Sequence, residues 1–197
     1  MTSNAPLVLA SGSPRRADIL TTLGIRFEVR KSGVDEKALG APDHAAFVRT
    51  VATAKLEQVL AALKGETRFV LAADTMVCVD DQRLGQPADD TDAHRMLLRL
   101  SGREHVVKTA IALGRGHETL ACEVVSTTVS FRATTAEELR RYIATGEGRD
   151  KAGSYAIQGI GSGFVERIDG SYTNVVGLPA AEVVGLLVRH GALTKWP

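Results

Sequence analysis

An α/β fold is predicted by two patterns and one absence. Short apolar runs of strand character alternate along the chain with amphipathic segments of helical period. The run Phe69-Val70-Leu71-Ala72-Ala73 is continuously apolar, as a strand covered on both faces requires. No internal repeat, low-complexity tract or Pro/Gly/Ser-rich linker interrupts the 197 residues, so a single domain over residues 1–197 is the simplest organisation.

The elements follow in order. Leu7-Val8-Leu9-Ala10 reads as a short buried strand, broken by Ser11-Gly12-Ser13-Pro14. Ser13 suits a helix cap and Pro14 the first helical position, which predicts a helix through Arg15, Arg16 and Leu20 that stops at Gly24. Residues 27–31 form a second strand. A long helix covers residues 43–63, with Phe47, Val51, Ala54 and Leu56 apolar and charges between them. A strand over 68–79 leads into a loop over 80–87. Next come a helix over 91–100, ended by Gly102, a strand over 106–113, and a β-branched strand within 118–131. A helix over 136–144 stops at Gly146, and the glycine-rich residues 148–163 read as a functional loop. Residues 164–168, the turn Asp169-Gly170 and residues 171–175 predict a strand and its return, and residues 179–189 a last helix.

Composition limits the function classes. The hydrophobic share of 44% and charged share of 24% are those of a globular protein able to build a core without staples. Lys and Arg number 24 against 23 Asp and Glu, a net charge of +1, which argues against a strongly basic surface for nucleic acid but leaves room for a local basic pocket. Cys78 and Cys122 lie in apolar stretches and are expected as buried thiols, not as a disulfide or metal ligands. The histidines show no zinc-ligand spacing, and His105, at the start of a strand, is read as structural. The polar opening Met1 to Pro6 has no basic region followed by an apolar run, and no run reaches the length of a membrane span. A cytoplasmic protein without membrane or nucleic-acid partners is the expectation.

Four constellations carry candidate chemistry. Ser11-Gly12-Ser13-Pro14-Arg15-Arg16 joins a strand to a helix start, where free N–H groups, two hydroxyls and two guanidinium forks suit phosphate oxygens. An ordinary capped helix with solvated arginines fits the same residues. The Gly-x4-Gly-Lys-Ser/Thr spacing of a P-loop is absent. Asp74 follows the apolar centre of its strand, where a carboxylate is costly unless it meets a cation, a metal or several donors, so metal ligand or general base are its natural roles. Asp35-Glu36 alone is an acidic turn; with Asp74 it can complete a magnesium-type site. Lys55, between Ala54 and Leu56, is compatible with a surface position and with a reach toward phosphates. In Asp150-Lys151-Ala152-Gly153-Ser154-Tyr155-Ala156-Ile157-Gln158-Gly159, the amide of Gln158 offers donor and acceptor to a pyrimidine edge or to loop backbone.

Taken together and in this order, these residues resemble the Maf family of nucleotide pyrophosphatases. The resemblance extends through Leu84-Gly85, Pro87, Ser101-Gly102, His105, Val107, Thr109, Phe164-Val165-Glu166-Arg167-Ile168 and Asn174-Val175-Val176-Gly177-Leu178-Pro179, nearly the whole chain. It implies a mixed, curved central sheet with flanking helices and two lobes around a cleft, related to the inosine triphosphate pyrophosphatases. It implies a homodimer that uses Mg2+ or Mn2+ to cleave a nucleoside triphosphate between its α and β phosphates. Carried onto this chain, Ser11, Arg15 and Arg16 bind phosphates, Lys55 supports them, Glu36 and Asp74 bind metal, Asp74 activates water and Gln158 helps select the base. The 150–159 stretch looks like the branch that prefers dTTP and UTP. The family is also named for inhibition of septum formation, so a nucleotide-binding regulator of division with little turnover is the rival reading. One departure stands out: where the family loop reads Gly-Lys-Pro, this chain has Gly85-Gln86-Pro87, which places a neutral amide at a position associated with catalysis.

Overall fold

The computed structural model describes residues 5–197; the opening Met1-Thr2-Ser3-Asn4, part of the stretch read for a leader, lies outside the described residues. The fold is mixed α/β. Strands β1 (Leu7–Leu9), β2 (Phe27–Val29), β3 (Phe69–Val79), β4 (Gln82–Leu84), β5 (Glu104–Arg115), β6 (Glu118–Phe131) and β7 (Val165–Asp169) form a seven-stranded sheet in the order β2-β1-β3-β5-β6-β7, with β4 beside β3. β1 runs parallel to β2 and β3, while β4 and β7 are antiparallel to β3 and β6. Helices α1 (Pro14–Thr22), α2 (His44–Ala62), α3 (Asp90–Leu100), α4 (Ala136–Ala144), α5 (Tyr172–Val176) and α6 (Ala180–Arg189) complete it. Among the described residues no helix is long and apolar enough to cross a membrane.

The chain divides into two compact units. The first comprises the described chain up to Asp74, Thr109–Val125 and Gly177–Pro197. Its core joins Leu7, Leu9, Leu20, Leu71, Ile111, Leu113, Val183 and Leu186. Asp43 caps α2 by accepting the N–H of Ala46 at 2.8 Å, which ends the preceding loop and starts the helix where the sequence predicts. Val48, Val51, Ala52, Leu56, Val59 and Leu60 of α2 are buried, and α2 lies so close to β5 that a Cβ at Gly114 would stand 2.8 Å from Leu60 Cδ1.

The second unit comprises Thr75–Lys108 and Ser126–Val176. Its core is aromatic. His105 packs edge-on against Phe131 and Tyr155 at centroid distances of 4.9 and 5.4 Å, and Tyr142 against Phe164 at 5.0 Å. Thr135 and Glu138 form a complete capping box on α4.

Several expectations are corrected. The 80–87 segment is not wholly loop. Asp80 and Asp81 adopt φ of 48° and 57°, a tight turn that aspartate tolerates, and return the chain as β4 with Val79 opposite Gln82. The 171–175 segment is not a return strand but belongs to α5. Ser171 Oγ accepts the N–H of Asn174 at 3.2 Å, and fully buried Asn174 donates to Val107 O at 3.1 Å and Thr127 Oγ1 at 2.8 Å, so capping and anchoring override β-branched propensity. Ser13 occupies the cap position of α1 without a side-chain capping bond, and its own N–H donates to Ser11 Oγ at 3.2 Å. Cys78 is buried, whereas Cys122 is only partly so.

Buried His105 has a measurable signature. Its Nε2 lies 2.8 Å from Tyr155 Oη, while Nδ1 has no hydrogen-bond partner among the described residues. Burial lowers its pKa from 6.5 to about 4. The unfolded chain therefore binds the proton first, and stability present at neutral pH is lost as pH falls from 6.5 toward 4. Urea unfolding should lose up to about 3 kcal/mol over that window through this group, and His105→Gln should flatten the slope. Identical slopes in both proteins would assign the pH dependence elsewhere.

Candidate functional site

β1 ends at Leu9, and the chain turns through Ser11 into α1. Ser11 Oγ accepts from Ser13 N–H and, at 2.9 Å, from Arg16 Nη1. Arg16 Nε donates to Gly177 O at 2.9 Å. The guanidinium is thus fixed from two directions and only 8% of the residue is exposed. Burial lowers its pKa; Asp74 and Glu36 nearby act to raise it, and Arg15 to lower it. Arg15 itself is half-buried.

Lys55 is not a surface lysine. It lies four residues from Val51 and four from Val59, on the buried stripe of α2, and is 7% exposed. Its Nζ lies 2.8 Å from Asp74 Oδ1 and 2.6 Å from Glu36 Oε1. Glu36 stands on the 3-10 turn Glu36–Ala38 and is half-exposed, while Asp74 is 6% exposed within β3. Asp74 lies inside the strand, not at its end, so its placement follows from pairing with Lys55 and not from the usual position of ligands in α/β sheets. Burial raises the Asp74 pKa; Lys55, by charge and hydrogen bond, and Arg16 pull it down, and Glu36 pushes it up.

Ser11, Arg16, Glu36, Lys55 and Asp74 therefore form one charged cluster in the first unit, with Arg15 acting on it. The cluster brings a buried carboxylate together with a second carboxylate and fixed cations. Two carboxylates suit a hard divalent ion that completes its shell with waters and phosphate oxygens, and burial of the Asp74 carboxylate adds a reason to welcome a cation. Among the described residues no group of three or more His, Cys, Asp or Glu is arranged to hold a metal by itself.

Gln86 and Gln158 belong to the second unit. Gln86 is exposed and donates from Nε2 to Asp150 O at 3.1 Å, and beside it Gly153 N–H donates to Gly85 O at 3.1 Å, so the 85–87 loop is tied to the glycine-rich segment. Gln158 is exposed in the turn between Ala152–Ser154 and Ile160–Phe164. His105 is buried in the second unit against Phe131 and Tyr155. Glu147 was not singled out by sequence reasoning: its carboxylate accepts the N–H groups of Ile160 at 2.8 Å and Gly161 at 2.9 Å. A glutamate before a glycine-rich run carries no signal of that kind in sequence.

Similarity to known proteins agrees with this arrangement. The family model described as Maf, Maf-like protein, matches residues 6–190. The dTTP/UTP pyrophosphatase of Geobacter metallireducens is 46% identical over 194 residues, covering 98% of this chain and 100% of that protein. The dTTP/UTP pyrophosphatase of Myxococcus xanthus is 47% identical over 191 residues, covering 96% and 95% respectively. Among solved structures, that of a HAM1 protein from Coxiella burnetii is similar with a TM-score of 0.50 and 13% identity, over 94% of this chain and 98% of that one, a likeness of fold.

The ionic cluster makes a prediction of its own. Lys55→Met removes the buried counter-charge and leaves Asp74 facing Glu36, which should cost about 3–5 kcal/mol in urea unfolding at neutral pH. Lys55→Met/Asp74→Leu should recover much of that loss, because no buried charge then lacks a partner. A double variant as unstable as the single one would show that packing around the lysine stem, not charge, holds this part of the core.

Proposed function

The chain belongs to the Maf-like protein family, and from that membership we propose that it hydrolyses nucleoside triphosphates, dTTP and UTP in preference, to the monophosphate and pyrophosphate. The observation that carries the reading is the buried Asp74 carboxylate held against Lys55 and flanked by Arg16, an arrangement in which a water can lose its proton beside groups that attract phosphate oxygens. Water adds to the α-phosphorus, the bond to the bridging α–β oxygen breaks, pyrophosphate leaves, and Asp74 takes the proton of the attacking water. Ser11, Arg15 and Arg16 bind the phosphates, with Arg16 positioned in advance by Gly177 O and Ser11 Oγ. Lys55 supports them and keeps Asp74 ionised. A magnesium or manganese ion, held by Glu36 and Asp74, would neutralise triphosphate charge when bound. Gln158 reads the edge of the base. The family resemblance also supports a cytoplasmic homodimer and residues 1–197 working as one domain.

A pyrophosphate-release assay over a panel of triphosphates tests the proposal. dTTP and UTP should turn over fastest, and Asp74→Asn should lower kcat by about 10²–10⁴-fold while leaving the protein folded. Because Asp74 must be ionised and its pKa is raised, the rate should fall as pH drops through that pKa. No turnover of any triphosphate with magnesium or manganese would instead favour the rival, a nucleotide-binding regulator of division.

Gln86 is the observation on which that rival leans. A lysine would add a positive charge that gains value as charge moves toward the leaving group, whereas the amide donates a hydrogen bond and no net charge. Gln86→Lys should therefore raise kcat about tenfold to a thousandfold with little change in KM. An unchanged or lowered kcat would mean that this loop does not serve the transition state here.

A further inference from the structure

The loop that carries Gln158 is held by side chains outside it. Ala156 N–H donates to Tyr142 Oη at 3.1 Å, and Ile160 N–H and Gly161 N–H donate to the two Glu147 carboxylate oxygens. One tyrosine and one glutamate thus grip the segment on both sides of Gln158. Glu147 is anchored on its own backbone as well: its carbonyl accepts Lys151 Nζ at 2.7 Å and its N–H donates to Thr145 Oγ1 at 3.2 Å. The closeness of the grip explains the glycine beside Gln158. A Cβ on Gly159 would lie 1.9 Å from Glu147 Oε1, a distance no packing tolerates. Within this frame the Gln158 side chain is exposed and makes no hydrogen bond among the described residues, while Ile160 is 61% exposed. A partly buried carboxylate that accepts two backbone N–H groups and orders a turn presenting an exposed amide has the form of a support for recognition.

We propose that Glu147 is a positioning residue for base selection: its carboxylate, by holding the Ile160 and Gly161 N–H groups, fixes the turn that presents the Gln158 amide to the base. The inference rests on the reading that Gln158 contacts the base. Glu147 touches no reacting atom and acts on ground-state binding, so its loss appears in KM and in the ratio between bases.

The test compares Glu147→Ala, Glu147→Gln, Gln158→Ala and the Glu147→Ala/Gln158→Ala double variant, with dTTP, UTP and a purine triphosphate as substrates. Glu147→Ala should raise KM for dTTP and UTP about tenfold to a hundredfold, with kcat largely kept and the purine triphosphate little affected. Glu147→Gln, which keeps one acceptor, should fall between that variant and the wild type, and covers the case in which alanine prevents folding. The double variant should be no worse than the poorer single one, since both changes remove the same contact. Amide hydrogen exchange at Ile160 and Gly161 should accelerate in both Glu147 variants whatever Gln158 does. If Gln158→Ala changes base preference and the Glu147 variants do not, the positioning role is wrong and the reading of Gln158 stands. If Gln158→Ala is neutral toward base, both fall. Equal losses on all substrates, or effects that multiply in full in the double variant, would also overturn the proposal.

Discussion

The first unit is organised around one buried ammonium. Lys55 occupies a position on α2 that Val51 and Val59 mark as core, and Asp74 a position on β3 with buried Ala73 before it. Either charge alone in those places would cost several kcal/mol or be neutralised. Their 2.8 Å contact makes both tolerable, and Glu36 brings the 3-10 turn onto the same nitrogen. Helix, strand and turn are thus brought together by one ionic contact. Arg16 obeys the same logic, since its guanidinium is taken from water and held by a carbonyl and a hydroxyl, with Asp74 and Glu36 nearby to offset the cost of burying its charge.

The two units differ in the kind of polarity they keep. Charged side chains assigned to phosphates and metal, Arg15, Arg16, Glu36, Lys55 and Asp74, belong to the first unit. The second supplies amides, Gln86 and Gln158, on backbone ordered by Gly85, Asp150, Tyr142 and Glu147.

What could be read in the sequence follows the range of the forces involved. The helices over 44–62, 90–100, 136–144 and 180–189 were visible because apolar period and caps such as Asp43 are local signals. The strand β4 was hidden because it is three residues long, and its turn, Asp80-Asp81, lacks the glycine that marks most such turns. Helix α5 was read as a strand because its β-branched residues speak locally, while Asn174 is anchored by Val107 and Thr127, far away in sequence. At the site, the candidate residues could be named from their types and order, but the pairing of Lys55 with both carboxylates is tertiary. Lys55 was open between a surface position and a reach toward phosphates, although its spacing from Val51 and Val59 places it on the buried stripe of α2. Nothing local distinguished Glu147, whose partners lie thirteen and fourteen residues downstream.

The glutamine at position 86 is best understood through what surrounds it. Its amide spends a donor on Asp150 O, so it stabilises the joining of two loops, a task a lysine ammonium can also perform. Structure alone therefore does not explain the residue, and the difference must be one of charge. Within the same unit, Arg83 on β4 and Lys108 on β5 both act on Cys78, whose thiol burial pushes up to about 11. A thiol held protonated offers neither cation a counter-charge. Lys108 instead donates to the neutral hydroxyl of Ser126 at 3.0 Å. Both cations lie on strands, whereas the residue at position 86 of the loop is neutral. Charge on a strand is rigid and present before substrate arrives; charge on a loop can move with the reacting group. Either kind of charge raises the rate only so far as its contact with the reacting group strengthens in the transition state, so the proposed effect of a lysine at position 86 depends on where charge develops and not on affinity for phosphate alone.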